Sequence, residues 1–359
     1  TRFHKLQPDN IQGRKLLATI RLREGQNAAV QSLLQPVLAN DPDDIDALNL
    51  TANALLRDSK INEGIELLAR VAKLQPDSPV AQVRLGAGLA MGGQGDAAIG
   101  HMETALELDP AFQQADILIV LNHLQKRDFP AAIAAAKAYQ RRNLPSVTPH
   151  NLLGRVYLEA GQPDEARASF ERALALDAGD PAANHNLAQM ALADNDLVTA
   201  RKNYQSILAA HEGSVPAMIQ LALLDAREGD EASLVGHLEQ AMAVAPTDLQ
   251  PRLLLARYYL GKGKPEQVAQ LFTGLDEQQQ KTAEVLQVMA MAQLSTKDAG
   301  AAQFTLEQLL ESAPDSAPIR HMMAMAAAGT GDNQRAVEEL RRALALDENS
   351  LPSRIALAR

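Results

Sequence analysis

The sequence contains no cysteine and no tryptophan, and aromatic residues make up only 3% of its 359 residues. The lack of cysteine excludes disulfide bonds, thiolate metal sites and cysteine nucleophiles. It fits an oxidising compartment such as the periplasm, and it fits the cytosol nearly as well. Valine and isoleucine are few and scattered, which argues against β-sheets.

Long apolar runs and clusters of basic residues are also missing. No apolar run approaches the roughly 18 residues of a membrane-spanning helix, and no signal peptide is recognisable. The formal net charge is −10, so we predict no nucleic-acid partner, because phosphate binding needs clustered Lys and Arg. The chain begins with Thr1 rather than Met, and we expect it to be a segment of a longer protein.

Residues 147–180 show the pattern that dominates the chain. The strings VTPHNLLGRVYLE and PDEARASFERALAL each have the apolar spacing of a short amphipathic helix, and a glycine-containing turn separates them. The same pattern restarts at Pro181. A 34-residue period, applied without insertion or deletion, gives ten repeats with starts at 11, 45, 79, 113, 147, 181, 215, 249, 283 and 317.

The positions within these repeats have consistent chemistry. Position 7 is large and apolar except at Thr51, position 8 is small except at Val120, and position 20 is usually Ala. Small residues let two helices approach closely, and large ones at positions 7 and 24 fill the space beside them. Proline at position 32 ends the second helix in half of the repeats.

Leu153, Gly154, Tyr157, Ala166 and Phe170 stand where the tetratricopeptide repeat (TPR) family has its signature residues, and the chain resembles that family. The resemblance implies an all-α fold, a right-handed α-solenoid (superhelix) of helix-turn-helix repeats over residues 11–350. Residues 1–10 would be the end of a truncated preceding repeat, and residues 351–359 the start of a further one. No capping helix is recognisable, so we expect the end helices to fray or to pair with a neighbouring molecule.

The TPR resemblance implies that the first helix of each repeat lines a concave groove, mainly through positions 2, 5, 6, 9, 12 and 13. Our candidate groove-binding residues are Asn151, Arg155, His185, Asn186, Gln189, Gln220, Arg227, Arg252 and Arg257. The first two repeats add Lys15, Arg23, Asn49, Asn53 and Arg57. Some TPR domains clamp a peptide carboxylate with Lys and Asn at such positions, but the middle repeats lack the Lys residues.

Our hypothesis is therefore a groove that binds an extended peptide or a polar polymer through Asn and Gln amides and Arg guanidinium groups. The alternative is that these side chains are ordinary solvated residues. No motif predicts a cofactor, a metal site or a catalytic set, so we predict no cofactor and no enzymatic activity.

A narrower resemblance rests on the strings HNLLG at 150–154 and ARKNYQSIL at 200–208. They are similar to bacterial TPR lipoproteins of exosortase/PEP-CTERM and exopolysaccharide systems. This similarity implies a scaffold in the periplasm, anchored at the outer membrane. Its expected partners are envelope or polysaccharide-machinery proteins, with polysaccharide as a further candidate. The alternatives are a regulatory segment of a larger polysaccharide exporter or glycosyltransferase, and a cytosolic TPR adaptor.

Two stretches and one group of residues depart from the pattern. Around 139–149 a tyrosine replaces the expected Ala and two prolines follow, and around 273–282 the chain is very polar; each is either a kink or tolerated variation. Met289 and Met323 occupy core positions. Met291 and Met325 occupy groove position 9, where we favour loose core packing over an apolar ligand patch.

Overall fold

The computed structural model describes residues 10–358, and over that range it is helical with no β-strand. The first helices of the successive repeats are α1 (Ile11–Arg23), α3 (Ile45–Arg57), α5 (Pro79–Met91), α7 (Gln113–Gln125), α9 (Val147–Glu159), α11 (Pro181–Ala193), α13 (Val215–Glu228), α15 (Leu249–Gly261), α17 (Ala283–Ser295), α19 (Ala317–Gly329) and α21 (Leu351–Leu357). Each begins at the residue where the 34-residue period places a repeat start.

The second helices are α2 (Asn27–Asn40), α4 (Ile61–Leu74), α6 (Gly95–Leu108), α8 (Phe129–Arg142), α10 (Pro163–Leu176), α12 (Leu197–Ala210), α14 (Glu231–Val244), α18 (Ala299–Ser312) and α20 (Asn333–Leu346). Within residues 10–358 each of these has 14 residues. The chain divides into two compact units, Thr1–Leu187 and Ala188–Arg359, and each consists of such tandem helix pairs.

Side-chain caps explain why the helices begin where they do. Asp44 caps α3 by accepting a hydrogen bond from the Ala47 backbone N–H, and Asp196 caps α12 in the same way through the Thr199 N–H. Asn10 caps α1 through the Gly13 N–H. The predicted end of a preceding repeat otherwise lies outside the described residues, which start at Asn10.

The core of each helix pair follows the predicted columns. Positions 8 and 20 are buried in all ten complete repeats, and the position-24 side chains Phe170 and Tyr204 are among the largest that are fully buried. Close approach is visible at Gly154, where an added Cβ would lie 2.6 Å from the Phe170 ring. The small residues therefore set the distance between the two helices of a repeat.

The departure around 139–149 is tolerated variation rather than a kink. Tyr139 is fully buried, and its hydroxyl donates to Gln113 Oε1 at 3.2 Å. Ala136, at the usually large position 24, is also fully buried. Large and small residues have thus exchanged places one turn apart on α8, and the helix keeps its 14 residues.

The departure around 273–282 is a real break. The second half of repeat 249–282 consists of two 3-10 turns, Pro265–Gln267 and Ala269–Phe272, and the four-residue helix α16 (Glu277–Gln280). Val268, Phe272 and Leu275 still occupy the core positions of a second helix and are buried. The repeat therefore keeps its core but loses the continuous helix around it.

Candidate functional site

The first helices α1, α3 and α5 carry positions 2, 5, 6 and 9 of their repeats on a shared face. In the N-terminal unit, α1, α3 and α5 enclose a cleft of about 360 Å³ on this face. We call it the N-terminal cleft; it is lined by Gln12, Lys15, Leu16, Thr19, Asp46, Asn49, Leu50, Asn53 and Arg84. All of these residues hold one of the four groove positions in their repeats.

The charge of Lys15 in the N-terminal cleft is largely neutralised by its neighbours. Its Nζ lies 2.6 Å from Asp44 Oδ2 and 3.1 Å from Asp46 Oδ2. Burial opposes the charged form of Lys15, but the hydrogen bonds and charges of the two carboxylates outweigh it and raise the pKa of Lys15. Lys15 is therefore charged at neutral pH and tied to α3, so it links two repeats.

Asn49 gives the N-terminal cleft an unused hydrogen-bond acceptor. Its side chain is 8% exposed, and Nδ2 donates to the Ile45 carbonyl at 2.9 Å. Its Oδ1 is buried and has no partner in the structure. A buried acceptor without a donor is costly, so this atom is suited to a ligand N–H or O–H.

Asn53 and Arg84 complete the polar lining. Asn53 follows Asn49 by four residues, a rise of about 6 Å along α3, which is close to the two-residue repeat of an extended peptide, about 6.6 Å. Both Asn53 and Arg84 are exposed. The cleft thus offers amide groups spaced for a peptide backbone and a guanidinium for an acidic group.

The predicted groove residues of α9 and α11 differ in how much their side chains are engaged. Asn151 Nδ2 donates to Asp180 Oδ1 at 2.7 Å, and its buried Oδ1 has no partner. Arg155 is exposed and lies 3.7 Å from Glu159. Asn186 Nδ2 donates to the Ala182 carbonyl at 2.8 Å, and the neighbouring His185 is exposed.

In the C-terminal unit, Gln189 is exposed and donates to the Tyr204 hydroxyl at 2.8 Å. Gln220 is half-buried, while Arg227 and Arg257 are exposed. These three side chains are positioned to offer donors to a ligand.

Arg252 requires a correction, because its guanidinium is used inside the fold. It donates to the Leu271 carbonyl and, at 3.1 Å, to the Pro246 carbonyl. Arg252 holds position 4, where polar side chains turn back onto the carbonyl of position 32 in the preceding repeat. Gln82, Asn184 and Arg320 bond Pro76, Ala178 and Pro314 in the same way. Arg57, another predicted groove residue, likewise donates to the Leu22 carbonyl.

Comparison with known families agrees with the helix pairs. Residues 15–79 and 151–215 match one tetratricopeptide repeat profile, residues 223–294 match a second, and residues 317–350 match a third. The chain belongs to the tetratricopeptide repeat family. The third match begins at the first residue of α19 and covers one 34-residue repeat of this TPR protein.

The curated relatives of this TPR chain include cellulose synthase operon protein C of Pseudomonas fluorescens, 26% identical over 364 residues. The match covers 94% of this chain and 28% of the Pseudomonas protein. The protein of the same name from Komagataeibacter xylinus is 29% identical over 127 residues, covering 35% of this chain and 10% of that protein. The TPR chain thus spans little more than a quarter of the Pseudomonas relative.

Solved structures similar to this TPR chain include the C-terminal part of a TPR repeat-containing protein from Cytophaga hutchinsonii. Its TM-score is 0.44 at 17% identity, covering 66% of this chain and 97% of that one. The pilF structure from Pseudomonas aeruginosa has a TM-score of 0.41 at 17% identity, covering 59% and 97%.

The methionines of the TPR array divide between core and groove. Met323 is fully buried and Met289 packs against a core cluster, as their positions predict. Met291 and Met325 are 42% and 50% exposed, so the interpretation as loose core packing is wrong for these two. Position 9 therefore lies on a side of the first helix that the neighbouring helices leave uncovered in these two repeats.

One groove residue of this TPR protein is absent from the sequence-based set. Arg84 lines the N-terminal cleft with Lys15, Asn49 and Asn53, which the first two repeats supplied. The sequence did contain the signal for this residue, because Arg84 holds groove position 6 of its repeat.

Among residues 10–358, no cluster of His, Asp and Glu could hold a metal ion. No helix in that range has both the length and the apolar character to span a bilayer.

Proposed function

We propose that this TPR protein is a non-catalytic scaffold whose first-helix face binds an extended segment of a partner protein. The N-terminal cleft carries the proposal, because the buried and unpartnered Oδ1 of Asn49 lies on the same face as exposed Asn53 and Arg84. An extended peptide can donate a main-chain N–H to Asn49 and place a carboxylate on Arg84. The scarcity of aromatic rings, 3% of the chain, favours a peptide over a polysaccharide, whose sugar rings commonly stack on aromatic side chains.

We further propose that the remaining groove residues form binding faces of the same kind within each of the two units. Asn151, Arg155, His185 and Asn186 would contribute from the N-terminal unit, and Gln189, Gln220, Arg227 and Arg257 from the C-terminal unit. The exposure of Arg155, Gln189, Arg227 and Arg257 supports this assignment. Arg252 is left out, since its donors are bound to backbone carbonyls.

The proposed setting is bacterial exopolysaccharide biosynthesis or export, or PEP-CTERM protein sorting, with envelope proteins as partners. Similarity to cellulose synthase operon protein C over 94% of the chain supports this setting. We place the full-length protein in the periplasm, anchored at the outer membrane, with the cytoplasm as the alternative. Membrane fractionation of the full-length protein tests this: recovery with the cytosolic fraction would contradict the envelope assignment.

A second candidate function is regulation of a larger polysaccharide exporter or glycosyltransferase by the same face. Similarity to cellulose synthase operon protein C, the product of an operon for polysaccharide synthesis, favours it. Co-purification of the TPR segment with exporter or transferase activity that changes when the groove is mutated would select this candidate.

The first experiment places a photo-cross-linking phenylalanine analogue at Asn53 in the full-length protein in its native cells. The matched control carries the same analogue at Glu66, which is exposed on the second helix α4 of the same repeat. We expect peptides of an envelope or polysaccharide-machinery protein attached at position 53 and absent at position 66. A glycan adduct at position 53 would show that the ligand is a polysaccharide and not a peptide. Cross-linking to cytosolic proteins would contradict the proposed role in the bacterial envelope.

Affinity for the captured peptide then tests the residues. Loss of a charge-assisted hydrogen bond costs about 1.5–3 kcal/mol, so Arg84→Ala should weaken binding roughly 10- to 100-fold. Lys73→Ala, which removes an exposed charge from α4, should leave affinity unchanged. The double variant Arg155→Ala with Asn186→Ala tests the middle of the array separately, and unchanged affinity there would remove those residues from the site.

A further inference from the structure

The broken repeat 249–282 opens a second surface that the groove does not use. Within residues 10–358 the other second helices run for 14 residues, whereas here Gly274, at φ +80°, stops the helical path after Phe272. Residues with a side chain rarely adopt this backbone conformation, so the break is specified by the sequence. Residues 273 and 274 form a turn and residues 275 and 276 are not helical, where other repeats continue their second helix.

Several side-chain hydrogen bonds hold the broken segment in place. Asp276 accepts from the Gln279 N–H at 2.8 Å, and Gln279 Oε1 accepts from the Asp276 N–H at 3.3 Å. The Gln279 amide also donates to the Thr247 carbonyl at 2.9 Å, and Gln280 donates to the Leu275 carbonyl at 2.9 Å. The open arrangement is therefore built into the fold rather than left to a loose loop.

Beside this segment lies a mostly apolar cleft of about 420 Å³, bounded by α17 and α18. Its apolar wall consists of Phe272, Val285, Leu286, Met289 and Phe304. An adjoining cleft of about 400 Å³ shares Lys281, Leu286 and Gln308 and continues to Glu311 and Ser312. We call the two together the broken-repeat cleft.

Phe304 marks the broken-repeat cleft as unusual. Its ring is 65% exposed although it is one of only six phenylalanines in the chain. Phe304 holds position 22, which the other repeats fill with small or polar residues: Ser32, Glu66, Gly100, Ala134, Ala168, Lys202, Gly236, Gln270 and Glu338. The only aromatic residue in this column thus stands next to the only broken second helix of the described range, where it can contact an apolar partner.

We propose that the broken-repeat cleft binds an amphipathic helix of a partner protein that presents large apolar side chains flanked by Lys or Arg. The cleft follows α18 from Phe304 to Ser312, a length of about 12 Å, which corresponds to about two turns of a docked helix. In this array, consecutive repeats also contact one another through helices. A partner helix therefore continues the packing that the broken segment interrupts.

The charge of the cleft rim is the reason for expecting Lys or Arg beside the apolar residues of the partner helix. The rim carries the carboxylates of Glu277 and Glu311 against the single ammonium of Lys281. Lys281 is already paired with Glu277 at 2.6 Å, which leaves Glu311 available to a cation of the partner. This surface combines second-helix residues with positions 3, 4 and 7 of the first helix α17, none of which is a groove position. It is separate from the N-terminal cleft, so it provides the scaffold with a second binding face.

The test uses a phage-displayed library of random 12-residue peptides selected on the whole chain. Binders are then compared on Phe304→Ser and on Val198→Ser, which removes an 80% exposed apolar side chain from α12, outside the cleft. Circular dichroism and thermal unfolding of both variants check that they remain folded. We expect enriched peptides with apolar residues at helical spacing and a Lys or Arg, binding at least about tenfold more weakly to Phe304→Ser and unchanged to Val198→Ser.

Each other result overturns the proposal. Absence of binders that depend on Phe304 would remove the site, and Phe304-dependent binders that are acidic or lack helical spacing would exclude a basic amphipathic helix. Glu311→Gln should weaken the selected peptides at low salt and have less effect at high salt; no effect at low salt would exclude the charge contact. If the wild-type chain self-associates in sedimentation equilibrium and Phe304→Ser does not, the occupant is a second copy and not a partner protein.

Discussion

Gly86 and Gly100 belong to the same repeat but occupy opposite packing environments. A Cβ on Gly86 would lie 2.9 Å from the Ala98 carbonyl oxygen and 3.2 Å from Met102 Cγ, whereas a Cβ on helical Gly100 meets nothing within 4 Å. We expect Gly86→Ala to lower the free energy of unfolding by about 1–3 kcal/mol, because backbone blocks the added methyl group. Gly100→Ala should raise it by about 0.5–1 kcal/mol through helix propensity.

Urea unfolding of the two variants beside the wild type provides the measurement. The pair is matched because both changes add one methyl group inside a helix of the same repeat. Equal effects of the two substitutions would show that position 8 does not set the distance between α5 and α6.

His150 predicts a pH dependence of stability. It is buried, and the Gln140 side-chain amide lies 2.8 Å from its Nδ1, an arrangement that suits a neutral ring. Burial lowers the pKa of His150 below 6.5, and the charge of Arg172 lowers it further. The unfolded chain then binds a proton more readily than the folded one, so this contribution is complete above about pH 6.5 and declines as the pH falls below it.

We expect His150→Gln to reduce the loss of thermal stability between about pH 7 and pH 5 relative to wild type. Burial also lowers the pKa of His321, so the double variant with His321→Gln should reduce the loss further. Parallel melting curves across this pH range give the measurement, and identical pH dependence in wild type and variants would contradict a neutral buried His150.

At the scale of one element, the stability of the short helix α16 comes mainly from its N-terminal cap. Four residues form too few helical hydrogen bonds to be stable alone, and the reciprocal bonds of Asp276 and Gln279 supply the missing partners. Asp276→Ala should cost about 1 kcal/mol locally and speed amide hydrogen exchange over 277–281. Asp332→Ala is the matched control, since it removes the cap of the 14-residue helix α20. Unchanged exchange in α16 would show that core contacts alone hold it.

At the scale of the whole molecule, a repeat array unfolds according to the stability of each repeat and of its contacts with its neighbours. Repeat 249–282 has only two 3-10 turns and a four-residue helix in place of a continuous second helix. We therefore expect residues 265–282 to exchange amide hydrogens earlier than the other second-helix segments and to be cleaved before them in limited proteolysis. Residues 129–142 provide the comparison, because their unusual sequence still forms a continuous helix. Equal protection of the two segments would contradict this ranking.

The sequence by itself determined the period and the class of fold. The helix starts of the described repeats follow the 34-residue period, because small residues at positions 8 and 20 and large ones at position 24 are required wherever two helices of a pair touch. It also placed Lys15, Asn49 and Asn53 on the groove face, since a helical period fixes which side chains share a side.

Only the tertiary structure decided what those side chains do and which irregularity matters. A period gives the direction of a residue but not its partners, so it could not show that Arg252 and Arg57 are bound to backbone carbonyls or that Asn49 Oδ1 has no donor. Tyr139 and Gly274 both depart from the repeat pattern, yet Tyr139 is compensated by Ala136 one turn away, whereas Gly274 leaves its repeat without a continuous second helix. Compensation depends on volumes that meet in space, and these are fixed by packing between helices rather than by the pattern within one.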